Sequence, residues 1–422
     1  MASSACPRCF TRLARDAAIA YVCTNPSCVI AGQVDEQASA HYGVPLYARP
    51  SGELPHPPPD KPVVFDWECP TCHVADFWRE ACPVCHYAFW DRDWRQAGVT
   101  TVALAGARSS GKSVYIAVLV QALTRFAADS LGSGLGFPRD ADPGQEIPNT
   151  ADRYEEHYQR RLFVERQKLA PTITEGENLH WRNPLVFSLG RIHGQRRYLA
   201  IRDTPGEGLE QAEPAPRWEF LSRADGVLFL FDSEREQSVR RFFEADTEFI
   251  LANLHKLGLD PLDVLDRLLP LLDGGHPRLA VVLSKFDYVQ AIKTVIHQSV
   301  LPDAMSNTGA TYNREPWTGS ICLQANGRYT GAYPWVDGDR YHPADPSDRD
   351  LLDAELRSLL VLLGAHNLLS RLRSERSDLV ARLFAVSALG EPIRAESVSV
   401  RGITPFRVLD PILWLLDESW KA

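Results

Sequence analysis

Apolar and polar positions change period repeatedly along this chain. Residues 99–105, Val-Thr-Thr-Val-Ala-Leu-Ala, form a continuous β-rich run, the pattern of a strand buried on both faces. A glycine-bounded loop follows at 106–111, and 114–125 then reads as a buried helix. A Gly/Pro/Asp-rich loop at 131–149 precedes a charged helix over 150–170 with a narrow apolar stripe of Tyr154, Tyr158 and Leu162. Residues 178–189 and 197–203 predict two strands joined by a turn at 190–195, with Pro184 marking a sheet edge. Further buried strands are predicted at 226–231, 279–283 and 379–386, and an amphipathic helix at 238–257. Asp410 as N-cap and Pro411 as first helical residue open a terminal apolar helix, too short to span a membrane. Strands alternating with helices predict an α/β fold with a doubly wound sheet, its ligand along the strand C-termini.

The first 98 residues do not follow this pattern. Eight of the nine cysteines fall within the first 85 residues, as Cys6, Cys9, Cys23 and Cys28, then Cys69, Cys72, Cys82 and Cys85. Close cysteine pairs repeated after a short spacer suit zinc held by four thiolates, and nothing in the sequence suggests a disulfide compartment. The spacing predicts one zinc per sequence cluster: a first ribbon at 1–48, a Pro-rich linker at 49–63 and a second ribbon at 64–98. His73 and His86 each follow a cluster cysteine and are read as exposed neighbours, with substitution as ligands the alternative. Cys322 stands alone and is read as a buried thiol.

Composition narrows the classes. The 422 residues are 45% hydrophobic and 23% charged, which excludes wholesale disorder. No 18-residue uncharged apolar run and no basic-then-apolar leader is present, so a cytoplasmic protein without a membrane span is expected. The net charge of −9, with eight basic against eleven acidic side chains in residues 1–98, disfavours nucleic acid as the ligand of the cysteine-rich module. A protein-docking or purely structural role is favoured there instead.

The candidate chemistry begins at Gly106-Ala-Arg-Ser-Ser-Gly111-Lys112-Ser113, a GxxxxGK[ST] pattern between a predicted strand and helix. Its backbone N–H groups and the helix start would cradle phosphates; Lys112 would reach the β- and γ-phosphates and Ser113 would ligate magnesium. Asp203-Thr-Pro-Gly206 ends one predicted strand, Ser284-Lys285-Phe286-Asp287 ends another, and Ser387-Ala388-Leu389 ends the last. Together with Pro171-Thr172-Ile173 before the edge strand, these five motifs over residues 99–390 resemble those of a Ras-like GTPase of the translation-factor-related (TRAFAC) class. The cysteine-rich extension adds a resemblance to the double-GTPase type encoded in bacterial conflict loci.

The resemblance implies a P-loop GTPase domain at 99–392, with insertions near 131–171 and 290–350 and a C-terminal extension at 393–422. It implies GTP and Mg2+ beside Zn2+, with Gly106, Ser109, Ser110, Gly111, Lys112, Ser113, Val114, Lys285, Asp287, Ser387 and Ala388 around the nucleotide. Asp287 would accept from guanine N1–H and its exocyclic amine, Lys285 would lie beside the base and brace the phosphate loop, and the Ser387 and Ala388 N–H groups would face O6. Ser113, Thr172 and Asp203 (through a water) would hold magnesium, with Thr174 the alternative to Thr172. Lys112, Thr172, Gly206, Glu207 and Arg108 are the catalytic candidates.

Three departures stand out. Arg108 occupies a position that is glycine in Ras-like small GTPases, and Glu207 stands where a water-positioning glutamine is usual. About one hundred residues separate Asp287 from Ser387. Within them, 305–348 carries Tyr312, Trp317, Tyr329, Tyr333, Trp335 and Tyr341, read as anchors for a protein partner such as a second GTPase or an effector. A GTP-dependent switch with slow hydrolysis is the expected function. A non-hydrolysing nucleotide-dependent adaptor, an ATP-using enzyme and a GTP-driven zinc-ribbon nucleic-acid factor are the alternatives.

Overall fold

The computed structural model describes residues 3–14, 18–28, 32–54, 68–130, 134–142, 145, 147–167, 169, 183–210, 217–243, 259–292, 304–305, 307, 309–313, 322–323, 329–330, 346–374, 379–390 and 403–421. In the N-terminal part, β1 (Ser4–Ala5) pairs antiparallel with β2 (Arg12–Leu13). β3 (Ile19–Cys23) is the centre of a three-stranded antiparallel sheet, flanked by β4 (Ser51–Leu54) and β5 (Trp78–Ala81). Helix α1 (Glu36–Tyr42) starts at Asp35, whose carboxylate accepts from the Ala38 N–H, and stops at Gly43 in the left-handed region.

The larger part is built on a six-stranded sheet. Its strands are β6 (Gly98–Gly106), β7 (Leu185–Ile192), β8 (Gln195–Asp203), β9 (Gly226–Asp232), β10 (Arg278–Ser284) and β13 (Ala381–Ala385), in the order β13-β10-β9-β6-β8-β7. The five strands β6, β8, β9, β10 and β13 run parallel, and β7 pairs antiparallel with β8 at the edge. Pro184 immediately precedes β7, where its missing N–H costs no ladder bond. Every residue of β6 and β9 is buried, as their unbroken apolar patterns require. Two short strands, β11 (Cys322–Leu323) and β12 (Tyr329–Thr330), pair separately.

Helix α2 (Lys112–Ser130) follows β6. Helix α3 (Thr150–Tyr154) passes into a π-helical segment, Glu155–Val164, in place of the regular helix expected over 150–170. The wider winding keeps Tyr154, Tyr158, Leu162 and Phe163 buried, with Tyr154 donating to the Ala117 carbonyl of α2 at 2.7 Å. Helices α4 (Gly206–Glu210), α5 (Glu219–Arg223), α6 (Gln237–Arg240), α7 (Pro261–Leu271), α8 (Phe286–Gln290), α9 (Pro346–Leu363), α10 (His366–Ser374) and α11 (Asp410–Lys421) are the remaining described α-helices, beside short 3-10 turns at Trp94–Gln96 and Thr311–Asn313. The terminal helix α11 docks on β6, β9 and β10. There Arg278 donates to the Trp414 carbonyl at 2.7 Å and covers its ring at 3.9 Å. No helix among the described residues is long and apolar enough to cross a membrane.

The two parts share one core. Trp94 stacks on Phe89 at 5.6 Å and on Tyr198 of β8 at 4.8 Å, and its indole N–H donates to the Ala5 carbonyl at 3.0 Å. Val99 at the start of β6 donates to the Ser3 carbonyl at 3.1 Å. Arg202 of β8, buried, donates to the carbonyls of Arg8 and His41 and covers the Phe220 ring at 3.9 Å.

Candidate functional site

All five parallel strands deliver their C-termini to one edge, and the sequence motifs gather there. The turn from β6 into α2 runs through Gly106 and Gly111 at φ +148° and +93°, with Ser109 at +63°. A methyl group at Gly106 would lie 2.7 Å from the Leu230 carbonyl oxygen of β9, so only glycine lets the loop approach that strand. Lys112 is buried and donates to the Gly106 and Ala107 carbonyls at 2.8 and 2.9 Å, closing the loop on itself. Ser113 and Val114 continue as half-buried residues of α2, and Arg108 is half-buried as well. Ser110 is fully buried, and its hydroxyl has no hydrogen-bond partner among the described residues.

Asp203 ends β8 in register with Leu104 of β6, and Thr204 donates to the Leu104 carbonyl at 2.9 Å. Both Asp203 carboxylate oxygens are buried without a hydrogen-bond partner among the described residues. Burial pushes this carboxyl up to about 7, against the opposing pull of the Lys112 charge and the Thr204 N–H. A buried carboxylate with two unmet acceptors beside a lysine fits a hydrated divalent cation, the role the sequence predicts for it. Gly206 follows, packed on the backbone of Ala107 and Arg108. Glu207 is the second residue of α4; its side chain, like all of Thr172 and Thr174, lies outside the described residues.

At the other end of the edge, the Ser284 hydroxyl lies 2.9 Å from the Ser110 carbonyl and 3.1 Å from the Phe231 carbonyl, its single proton shared between them with the Ser110 contact the shorter. It is therefore Ser284 that braces the glycine loop, the task expected of Lys285. Lys285 turns through the left-handed region at φ +53° and places its ammonium 2.9 Å from Asp232 and 2.6 Å from Glu234. Burial alone would lower the lysine, but the two carboxylates outweigh it and hold it charged. Asp287, pushed up by burial, accepts from the Ser387 hydroxyl, which in turn accepts from the Gly390 N–H at 2.8 Å. The Ser387 N–H is committed to the Phe406 carbonyl at 3.2 Å, which corrects the expectation that it faces a ligand. The Ala388 N–H has no hydrogen bond among the described residues. Asp232, Glu234 and the Ser284 hydroxyl were not singled out from sequence; only their position at strand ends could have marked them.

The eight cysteines do assemble into two tetrads, but not by sequence cluster. Cys6 and Cys9 join Cys82 and Cys85, while Cys23 and Cys28 join Cys69 and Cys72, with all ligand atoms in each set within 4.8 Å of one another. The one-ribbon-per-cluster expectation is corrected by strand pairing. β3 lies between β4 and β5, so Cys23 meets the segment leading into β5, and the chain leaving β5 returns to the β1–β2 turn. Ser51–Leu54, expected within an extended linker, is β4 itself; 55–67 lie outside the described residues.

The Cys6–Cys85 and Cys9–Cys82 sulfurs stand 3.5 Å apart, and the other tetrad shows 3.5 and 3.9 Å. Tetrahedral zinc with about 2.3 Å bonds requires sulfur separations of about 3.8 Å, so both sets fit the ion. Phe10, His73 and His86 each turn through positive φ and donate an N–H to the first cysteine carbonyl of their pair, at 3.0, 2.8 and 2.9 Å. The histidines are thus turn residues rather than ligands, and His86 instead meets Asp35 at 2.6 Å. The first tetrad lies within the main hydrophobic core, whereas Cys23, Cys28 and Cys69 form a separate small cluster with Phe77 and Trp78. Cys322 is in β11, and its side chain, with those of Trp317, Tyr329, Tyr333, Trp335 and Tyr341, lies outside the described residues. Tyr312 is buried against Phe286, so it serves the core rather than a partner.

No protein-family model matches the chain. It is 34% identical over 432 residues, 98% of both chains, to a Mycolicibacterium smegmatis protein named "Putative ESX-1 scaffolding and assembly protein SaeC". The chain belongs to the SaeC family. That relative is named for scaffolding and assembly, and the likeness to conflict-locus GTPases finds no counterpart in it. Among solved structures, the Saccharomyces cerevisiae Ski7 GTPase-like domain bound to GTP matches 64% of the chain at 12% identity with a TM-score of 0.19. The match spans about half the length of that domain's chain, and a likeness so slight fixes no feature of this SaeC-family fold.

Proposed function

We propose that this SaeC-family chain is a guanine-nucleotide-dependent assembly factor, whose nucleotide site controls how it engages protein partners. The observation that carries this reading is the hydroxyl of Ser284 bound to the Ser110 carbonyl. It ties the loop suited to phosphates to the strand end that leads to Asp287, so both ends of a nucleotide would be read by one connected edge. In this reading GTP lies along that edge, with Lys112 exchanging its loop carbonyls for β- and γ-phosphate oxygens. Asp287 accepts from guanine N1–H and the exocyclic amine, and the Ala388 N–H donates to O6. Ser113, Asp203 through a water, and Thr172 hold magnesium, which neutralises phosphate charge. Gly206 carries the response to the γ-phosphate, and hydrolysis to GDP is slow. Zinc at the two tetrads is structural, fixing the N-terminal part against β6 and β8. The cytoplasm is the compartment that suits reduced thiolates and GTP.

The name of the M. smegmatis relative favours a second reading, a scaffold that binds nucleotide without hydrolysing it. Titration of the full chain with fluorescent GTP in magnesium, with ATP as competitor, tests the shared core of both readings. GTP binding that ATP does not displace, lost in Lys112→Ala with unchanged circular dichroism, is expected. Undiminished binding by the folded variant, or stronger binding of ATP, overturns it. Phosphate release in a single turnover then separates the two readings.

A further inference from the structure

The long stretch between Asp287 and Ser387 and the extension beyond residue 390 meet at one place. Residues 403–410 return along the loop Ser387–Gly390. Phe406 donates its N–H to the Ser387 carbonyl at 2.7 Å, and its own carbonyl accepts the Ser387 N–H at 3.2 Å, an antiparallel pair. Thr404 donates to the Leu389 carbonyl at 3.0 Å. Gly390 sits at φ +85°, and a methyl group placed on it would overlap the Thr404 carbonyl, so the two backbones approach as closely as glycine permits. The Phe406 ring lies parallel to that of Phe286, with 6.1 Å between centroids, and Tyr312 meets Phe286 edge-on at 6.4 Å. Phe286 immediately precedes Asp287, and its N–H donates to the Val386 carbonyl at 3.1 Å. Phe406 thus touches both residues that carry the base-recognition groups, Phe286 beside Asp287 and Ser387 beside Ala388.

The returning segment is itself tied down from the far side. Residues 405–410 are all buried. Arg407 turns through the left-handed region at φ +51°, a conformation an arginine keeps only where its surroundings over-determine it. Its guanidinium donates to Asp410 at 2.7 Å, to the Thr311 carbonyl at 3.2 Å and to Asp348 of α9. Thr311 and Asp348 both belong to the stretch between Asp287 and Ser387. Tyr115, in the first turn of α2 just beyond Lys112 and Ser113, donates its hydroxyl to the Val408 carbonyl at 3.1 Å. One short segment therefore joins the helix that follows the glycine loop to the loop at the opposite end of the edge.

We infer that residues 403–410 are a latch that positions the base-recognition groups, holding Asp287 and the Ala388 N–H at the separation a guanine edge requires. The inference rests on the guanine-nucleotide reading proposed above and names what sets the base affinity of that site. Asp287 and Ala388 lie on different connections, and a hydrogen bond is lost over a displacement of about 1 Å. Something must hold the two connections in register, and Phe406 is bound to both. The latch residues are positioning residues: they act through Ser387 and Phe286, and the nucleotide itself meets Asp287 and Ala388.

The test compares magnesium GTP with magnesium tripolyphosphate, a phosphate chain without a base, in calorimetric titration of the full, zinc-loaded chain. Phe406→Leu removes the ring from Phe286, and Gly390→Ala wedges the loop away from Thr404. Each should weaken GTP at least about tenfold, the worth of one misplaced hydrogen bond to a charged group. Neither should change the affinity for tripolyphosphate. A segment that only supports the fold would weaken both ligands together or neither, and either result overturns the inference. Hydrogen exchange on the unaltered chain gives a second readout if the variants fail to fold. Binding that requires the latch closed suppresses its opening, so GTP should slow exchange at the Thr404 and Phe406 amides and tripolyphosphate should not. Equal protection by the two ligands overturns the latch while leaving the nucleotide site standing. A parent chain that binds tripolyphosphate but not GTP, or binds neither, overturns the nucleotide reading and the latch with it.

Discussion

Gly206 lies directly against Arg108: a methyl group placed on Gly206 would stand 2.5 Å from the Arg108 backbone nitrogen and 2.8 Å from the Ala107 carbonyl carbon. Both neighbours are backbone, so neither can swing aside. Gly206→Ala should therefore cost about 1–3 kcal/mol of stability without ligand, read by urea unfolding of the two chains. It should also loosen amide protection at 203–210 in hydrogen exchange. A variant as stable and as protected as the parent would show that this contact does not hold the loop.

Base recognition should depend on pH through Asp287. Burial raises its pKa above the ordinary carboxylate range, with the Ser387 hydroxyl opposing. A protonated carboxyl cannot accept from both guanine donors, so GTP affinity should fall as pH drops through this raised pKa while the parent chain stays folded. Asp287→Asn should flatten that dependence and shift preference from GTP toward xanthosine triphosphate. Equal pH slopes in parent and variant would place base recognition elsewhere.

Hydrolysis offers a separate check on Arg108 and Glu207. If Arg108 acts on the γ-phosphate, Arg108→Ala should lower the single-turnover rate at least about tenfold with GTP affinity nearly intact, since a well-placed arginine is worth about 10³–10⁵. Glu207→Gln should raise the rate, because a carboxylate beside the anionic γ-phosphate repels what a neutral amide would tolerate. Rates unmoved by both changes would exclude the two residues from the chemistry.

The two tetrads should respond unequally to loss of a ligand. Cys85 belongs to the main core with Phe10, Phe89 and Trp94, whereas Cys28 sits in the small satellite cluster. Cys85→Ser should lower the midpoint of global unfolding, as zinc ligation is itself folding free energy in such sites. Cys28→Ser should leave that midpoint nearly in place and expose 68–78 to exchange. Elemental analysis should give two zinc ions in the parent and one in each variant.

Much of the sheet was legible because its strands are unbroken apolar runs. The stretches 99–105 and 226–231 could only be buried strands, and both are. The terminal helix was announced by Asp410 and Pro411. Cysteine pairing was not legible. The spacing of Cys6, Cys9, Cys23 and Cys28 records proximity along the chain, whereas β3 pairing with both β4 and β5 decides proximity in space. The π-winding at Glu155–Val164 also left no mark, since the stripe of Tyr154, Tyr158 and Leu162 suits either helix. The loop contact of Ser284 and the ion pairs of Lys285 were hidden for a related reason. A motif names residue types, but Asp232 and Glu234, one strand away, capture the ammonium.

Interleaved ligands impose an order on synthesis. During translation neither four-sulfur site can close until Cys69 and Cys72, and then Cys82 and Cys85, have left the ribosome. The nascent N-terminal segment therefore carries two unfinished pairs, Cys6 with Cys9 and Cys23 with Cys28, each waiting for a partner from the far side of the proline-rich stretch. If zinc fills both sites, its capture would pin β1–β2 and β3 almost together, just before β6 emerges to receive them. Once both ions are bound, a single cut between residues 55 and 67 would leave two fragments still clasped by eight sulfurs.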